Sequence, residues 1–198
     1  MIDRRGFIRG ALGSALGTAA TLPLALRSPL AEAAESKPRV TPLAPGLYLL
    51  EGLGGNVTVF DSVDGVLLVD GGSPENSPAV LKAVRDLTGK PQVHTLFNTH
   101  WHWDQTGSNA ALGAAGARII AHENTRLWLG TDVDSKWEDR RYGRLPVKAR
   151  PSKTFYTTGT LEFGGESIEY GYMLQAHTDG DIFVHFRNAN VLVAGDVL

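Results

Sequence analysis

The chain has 198 residues, 42% of them hydrophobic and 20% charged, which suits one domain with a packed core and a short leader. A net charge of −2 gives no electrostatic basis for binding nucleic acid or an anionic membrane. There is no cysteine, which excludes disulfides, thiolate metal sites and a cysteine nucleophile.

The N-terminus reads as a targeting segment. Arg4 and Arg5 are followed closely by Phe7 and Ile8, a pattern that resembles a twin-arginine export signal. Residues 10–26 are small and apolar, and Ala31-Glu32-Ala33 is an A-x-A cleavage site. Residues 1–33 are therefore expected to be removed and the mature protein to be periplasmic. The apolar run is short for a bilayer and broken by Pro23, so no stable membrane span is expected after cleavage. Residues 34–45 are polar and proline-rich and are expected to be a linker, with the folded domain over residues 46–198.

Residues 46–50 and 56–61 read as strands around the turn signal Gly54-Gly55. Val66 to Val69 is continuously apolar, as in a strand buried on both faces, and ends in Asp70-Gly71-Gly72. A carboxylate at the end of a buried strand needs partners. Asp70 is read either as a turn cap or as support for a nearby site, and not as a metal ligand. Val80, Leu81, Val84 and Leu87 have helical spacing over residues 78–88, stopped by Gly89-Lys90-Pro91.

The apolar strand 93–97 then delivers Thr99-His100-Trp101-His102-Trp103-Asp104-Gln105-Thr106-Gly107. In an extended loop the two-residue spacing points His100 and His102 to one side, and Asp104 continues the alternation. Two neutral imidazoles and a carboxylate are ordinary zinc ligands. Gly107 is expected to let the backbone turn, and Ser108 or Asn109 to cap a helix over residues 109–115. Trp101 and Trp103 are expected to pack under or beside the loop. His94, on the strand before it, is read as an ordinary surface or core imidazole.

Residues 118–121 read as a strand, and His122 as a structural or capping residue before a helix reaching Leu129. Residues 130–154 are charged and irregular. They are a solvated loop by default, with Trp137 and Tyr142 as candidate pocket walls. Hairpins are expected over residues 160–170 and 182–194, with His185 on a sheet face. Between them lies Ala176-His177-Thr178-Asp179-Gly180-Asp181, and the last strand ends in Gly195-Asp196. Both place a ligand type at a strand end.

The H-x-H-x-D run, the later single histidine and the later single aspartate, in that order, resemble the metallo-β-lactamase superfamily from Val40 onward. That family's motif is H-x-H-x-D-H, then one His, one Asp and a final His. Gln105 stands where the family has its third His, and the chain stops two residues beyond Asp196. The resemblance implies an α/β fold, a sandwich of two mixed sheets with outer helices and metals at one edge. It implies a zinc site of His100, His102 and His177 with an open position, the arrangement of a catalytic and not a closed structural centre. Asp104 would orient metal-bound hydroxide as the catalytic carboxylate and help hold a second metal. Asp196 would bridge the two, Asp70 would stand behind the site, and Gln105 would weaken the second metal.

The reaction expected is hydrolysis of an ester, lactone, amide or related bond in a small-molecule substrate, with water as nucleophile. No G-x-S-x-G motif occurs. An iron-dependent oxidoreductase of the sulfur dioxygenase type and a metal-binding, non-catalytic protein stay open, as does the oligomeric state. The family continues past this strand with a helix, further strands and the final His, so the chain is expected to be truncated at its C-terminus.

Overall fold

The computed structural model describes residues 37–136, 139–174 and 176–197. The proposed signal segment and Trp137 lie outside them. Three stretches of strand account for most of the frame. β1 (Arg39–Ala44), β2 (Leu47–Glu51), β3 (Val57–Ser62) and β4 (Gly65–Val69) form an antiparallel meander. β4 then pairs in parallel with β5 (Val93–Phe97), β5 with β6 (Arg118–His122), and β6 with β9 (Lys153–Phe155), completing a mixed seven-stranded sheet. A second sheet of β10 (Thr158–Phe163), β11 (Glu166–Tyr172), β12 (Ile182–Phe186) and β13 (Val191–Val193) is antiparallel throughout. A short ribbon of β7 (Val133–Ser135) and β8 (Arg140–Tyr142) stands apart.

Residues 39–44, read from sequence as linker, instead form the edge strand β1. Arg39 at its start pairs with Glu51 of β2. Its prolines hid it: Pro38, Pro42 and Pro45 read as linker, but an edge strand tolerates proline because one side of its backbone is unpaired.

The continuous apolar strand β4 is buried on both faces, and its residues divide between two cores. Val66 and Leu68 join Val80 and Val84 of α1 (Ser77–Thr88) and Leu112 of α3 (Asn109–Ala114). Leu67 and Val69 face the second sheet, among Phe60, Phe97, Ile168, Ile182, Val184 and Phe186. Helices therefore cover the outer face of the large sheet and the small sheet covers its inner face. α1 ends at Gly89, whose left-handed φ of 69° terminates the helix as the Gly-Lys-Pro sequence predicts.

The parallel strands β4, β5 and β6 run the same way, so their C-terminal ends share one edge. Asp70 N donates to Phe97 O at 2.8 Å, and Asn98 N to Ile120 O at 3.0 Å, which holds the three exits together. Ile182 N, at the start of β12, donates to Thr99 O at 2.9 Å and brings the second sheet to the same edge. Loops at the C-terminal ends of parallel strands are where open α/β sheets place their sites.

Candidate metal centre

The histidine loop, residues 98–102, leaves β5 and runs into one turn of helix, α2 (Trp103–Thr106). Its course is fixed from beneath by the turn after β4. Gly71 N donates to Gln105 O at 2.7 Å, Gly107 N to Gly72 O at 2.9 Å, and Ser108 Oγ to Gly71 O at 2.6 Å. Ser108 therefore spends its hydroxyl on this turn and makes no side-chain cap to α3. Asn109 pairs with Asn98 through two buried amide hydrogen bonds of 2.8 and 3.0 Å, again in place of capping. Gly107 has a helical φ of −59°. It is required by proximity and not by a turn, since a Cβ there would lie 2.2 Å from Ser73 C and 2.3 Å from Pro74 N.

His100, His102, His177 and Asp196 converge, each offering one donor atom, with all four atoms within 4.8 Å of one another. The three rings stand nearly perpendicular: 78° between His100 and His102, 86° between His100 and His177, and 89° between His102 and His177, at centroid separations of 4.8 to 5.0 Å. His102 Nδ1 lies 3.1 Å from His177 Nε2. Asp196 Oδ2 lies 3.6 Å from His100 Nε2 and 3.7 Å from His177 Nε2. Asp104 is not one of the four. It is half-buried, and burial first, then the charge of Asp196, raises its pKa. Gln105 Nε2 donates to Asp196 Oδ1 at 2.9 Å. Asp70, Asp104, Gln105 and Asp196 line a cavity of about 500 Å³.

The donor set suits a metal. His100 is wholly buried, and its Nε2 has no hydrogen-bond partner. Burial, with the neighbouring charges of His102 and His177, pushes its pKa down to about 3, so the ring is neutral and its lone pair free. An unsatisfied buried nitrogen is costly, and a cation among three imidazoles and a carboxylate would satisfy it.

Asp70 adopts a positive φ of 64° and turns its carboxylate under the loop. Its two oxygens accept from Thr99 N at 2.8 Å and Thr99 Oγ1 at 2.7 Å. Thr99 Oγ1 in turn lies 3.1 Å from His100 Nδ1. Burial is the largest influence on Asp70 and raises its pKa to about 8 against the lowering hydrogen bonds from Thr99. Of the two sequence readings of Asp70, support of the histidine loop describes these contacts. Gly195 explains the Gly-Asp pair after β13. Its φ is 58°, and a Cβ there would meet Thr99 Oγ1 at 2.6 Å, so only glycine lets Asp196 reach the histidines.

The His177 loop is held by groups that sequence reading did not single out. Buried Asp181 accepts from the backbone N–H and the hydroxyl of Thr178. Helix α4 (Glu123–Leu129) reaches over it: Asn124 Nδ2 donates to Asp179 O at 2.6 Å, Thr125 Oγ1 to Gly180 O at 3.0 Å, and Trp128 Nε1 to Asp179 Oδ1 at 2.7 Å. The Trp128 ring also stacks on Trp101, 5.4 Å away at 22°. Nothing in the local sequence of α4 pairs it with a loop fifty residues on. His122 caps this helix by accepting from Asn124 N, as its position suggested. His94 and His185 stay outside the cluster. Tyr142, a candidate wall, meets Trp101 edge-on at 5.1 Å and lies parallel to His102 at 6.5 Å.

The model of the metallo-beta-lactamase superfamily matches residues 50–198. This chain belongs to the metallo-β-lactamase superfamily. Among solved structures it resembles a B3 metallo-β-lactamase described as the first with an active-site glutamic acid, at 27% identity and a TM-score of 0.59 over 70% of this chain and 53% of that one. It also resembles MEM-A1, a subclass B3 enzyme from a soil metagenome library, at 24% identity, TM-score 0.61, over 76% and 58%. A Cronobacter sakazakii metallo-β-lactamase described by its HARLDQ motif matches at 18% identity, TM-score 0.63, over 74% and 58%. The chain spans just over half the length of these three structures. The superfamily's α/β fold, expected from the motif order, is the fold observed.

Proposed function

We infer that this protein is an exported, zinc-dependent hydrolase that uses water to cleave an ester, lactone, amide or related bond of a small molecule. One observation carries the reading: three mutually perpendicular imidazoles converge, and one of them presents a buried nitrogen with no hydrogen-bond partner. His100, His102 and His177 would hold the metal, with Asp196 beside them. When bound, zinc supplies Lewis acidity and water with a pKa lowered to about 7. Thr99 fixes the His100 ring through Nδ1, and Asp70 fixes Thr99. Asp104, half-buried beside the cluster, supplies the carboxylate for the proton that attacking water must lose.

Gln105 favours one firmly held metal. An amide is a neutral and poorer zinc ligand than imidazole, and here its N–H is committed to Asp196. The HARLDQ motif of the Cronobacter enzyme has its one His, its Asp and its Gln at the spacing of His100, Asp104 and Gln105. This supports a glutamine at that place within an enzyme of the superfamily.

The test is elemental analysis of the purified protein beside a panel of ester, lactone and amide substrates, with oxygen consumption followed in parallel. Zinc near one equivalent with hydrolysis is expected. Iron with oxygen uptake would favour the oxidoreductase, to which imidazole and carboxylate ligands are equally suited. Export rests on Arg4-Arg5 and the A-x-A site. Replacing both arginines with lysine should leave precursor in the cytoplasm, and unchanged export would overturn that part.

A further inference from the structure

Among the described residues, the ribbon β7–β8 meets the histidine loop and α2 through one face. Residues alternate along a strand, so Arg140 and Tyr142 share a face and Arg141 points the other way. The Arg140–Tyr142 face meets the loop. Tyr142 lies against Trp101 and His102, and the Arg140 guanidinium sits 4.2 Å over the ring of Trp103 and 6.0 Å from that of Tyr142. Trp103 stands between His102 and Asp104 in sequence. Arg140 is thus held by two aromatic faces beside the mouth of the metal cluster.

Among the described residues Arg141 forms no ion pair, but it points away from the loop, and the two cations flanking the ribbon have carboxylate partners. Lys136 pairs with Asp134 and Arg144 with Asp132. No carboxylate among the described residues forms an ion pair with Arg140, and its side chain is exposed. Stacking on aromatic rings orients a guanidinium without using its N–H groups. A planar fork of donors, restrained in position and lacking an anion, is suited to bind a carboxylate in two-pronged fashion.

We propose that Arg140 is an anion anchor: it selects substrates that carry a carboxylate near the bond presented to the histidine cluster. The proposal rests on the hydrolase reading for the word substrate, but not for the binding itself. The ribbon supplies the charge, and Trp103 and Tyr142 hold it in place.

The experiment has a binding arm and a turnover arm, both on the full zinc-loaded chain. Binding of phenylacetate and of neutral phenylacetamide is followed by ligand-observed NMR in wild type, Arg140→Gln, Arg140→Lys and Arg141→Gln. Zinc content is measured in each, because a carboxylate can also bind the metal. Phenylacetate binding should weaken about tenfold in Arg140→Gln, partly recover in Arg140→Lys, and be unchanged in Arg141→Gln, which loses the same charge from the opposite face. Phenylacetamide should bind weakly and equally to all four. Equal phenylacetate affinity in wild type and Arg140→Gln would overturn the proposal, as would equal losses in the two glutamine variants. The turnover arm compares 4-nitrophenyl acetate with the 4-nitrophenyl monoester of succinic acid. Arg140→Gln should lower kcat/KM about tenfold for the charged ester alone. If wild type hydrolyses neither these esters nor any member of the ester, lactone and amide panel while Arg140 still governs phenylacetate binding, the hydrolase reading fails and the anchor stands. Hydrolysis of both esters, with no effect of Arg140 in either arm, leaves the hydrolase and removes the anchor.

Discussion

Gln105 Nε2 donates to Asp196 Oδ1 at 2.9 Å, joining two residues 91 positions apart at the edge of the histidine cluster. The bond occupies one carboxylate oxygen and leaves Oδ2 turned toward His100 and His177. Gln105 is itself buried, so the amide acts as an orienting arm for Asp196. Replacing it with histidine exchanges that arm for a metal ligand. Gln105→His should bind a second zinc more tightly than wild type does, read by calorimetric titration with elemental analysis. Gln105→Ala should keep the fold and weaken the first site about tenfold, as loss of an orienting partner commonly does. Unchanged stoichiometry and affinity in Gln105→His would place this residue outside the second site.

Trp128 joins the two loops that carry the histidines. Its ring stacks on Trp101, between His100 and His102, while its N–H holds Asp179, two residues beyond His177. Trp128→Phe keeps a ring for Trp101 and removes the hydrogen bond. A loss of about 1 kcal/mol in stability is expected. A several-fold drop in zinc affinity should accompany it, because His177 is less firmly placed. Stability lost with zinc affinity intact would mean that the bond braces the fold without orienting the ligand.

The strands and the order of chemical groups were legible because each has a local signature. A continuous apolar run marked β4, a strand-like run with Val93, Leu96 and Phe97 marked β5, and helical spacing marked α1, whose buried residues are Val80 and Val84 among the four apolar ones. His100, His102, His177 and Asp196 were legible as strand-end ligand types, and the fold brings their donor atoms together. Asp104, read as part of the same alternation, is not among them: α2 begins at Trp103, and once the chain turns helical the two-residue rule no longer applies. The roles of Trp128, Asp181 and Arg140 were hidden because each acts across the fold, and single-sequence patterns report only neighbours along the chain. Gly107 and Gly195 were visible as glycines, but the close approaches that demand them arise only in the folded chain.

Asp70 sets the tautomer of His100 through Thr99. With Asp70 ionised, the form that a cation bound at the cluster favours, the Thr99 hydroxyl donates to Asp70 Oδ2, so its oxygen accepts from His100 Nδ1–H, which leaves Nε2 with its lone pair toward the cluster. In Asp70→Asn the amide N–H₂ faces the Thr99 oxygen. The hydroxyl is then free to donate to His100 Nδ1, and the proton moves to Nε2. Zinc affinity should fall about tenfold or more while the fold persists. The check is zinc titration with circular dichroism, and nitrogen-15 shifts of His100 to read the tautomer. A variant with wild-type affinity and an Nδ1–H tautomer would show that Asp70 does not act through Thr99.

Asp70 also gives a signed pH dependence to the stability of the metal-free protein. Its pKa is about 8 in the folded state, against 3.8 as the ordinary value, with burial the main cause. Below about pH 4 the group is protonated in both states and costs nothing. As pH rises from there the unfolded chain releases the proton and the folded chain keeps it, so stability falls by at most about 1.4 kcal/mol per pH unit. The decline ends near pH 8, where the folded state ionises as well. Asp70→Asn removes this contribution. The stability of the variant relative to wild type should therefore rise with pH through that window and level off above it. Urea unfolding of both proteins in excess chelator, at a series of pH values, measures the difference directly. A difference that is flat, or that runs the other way, would mean that Asp70 is already ionised at low pH, and that the two hydrogen bonds from Thr99 outweigh its burial.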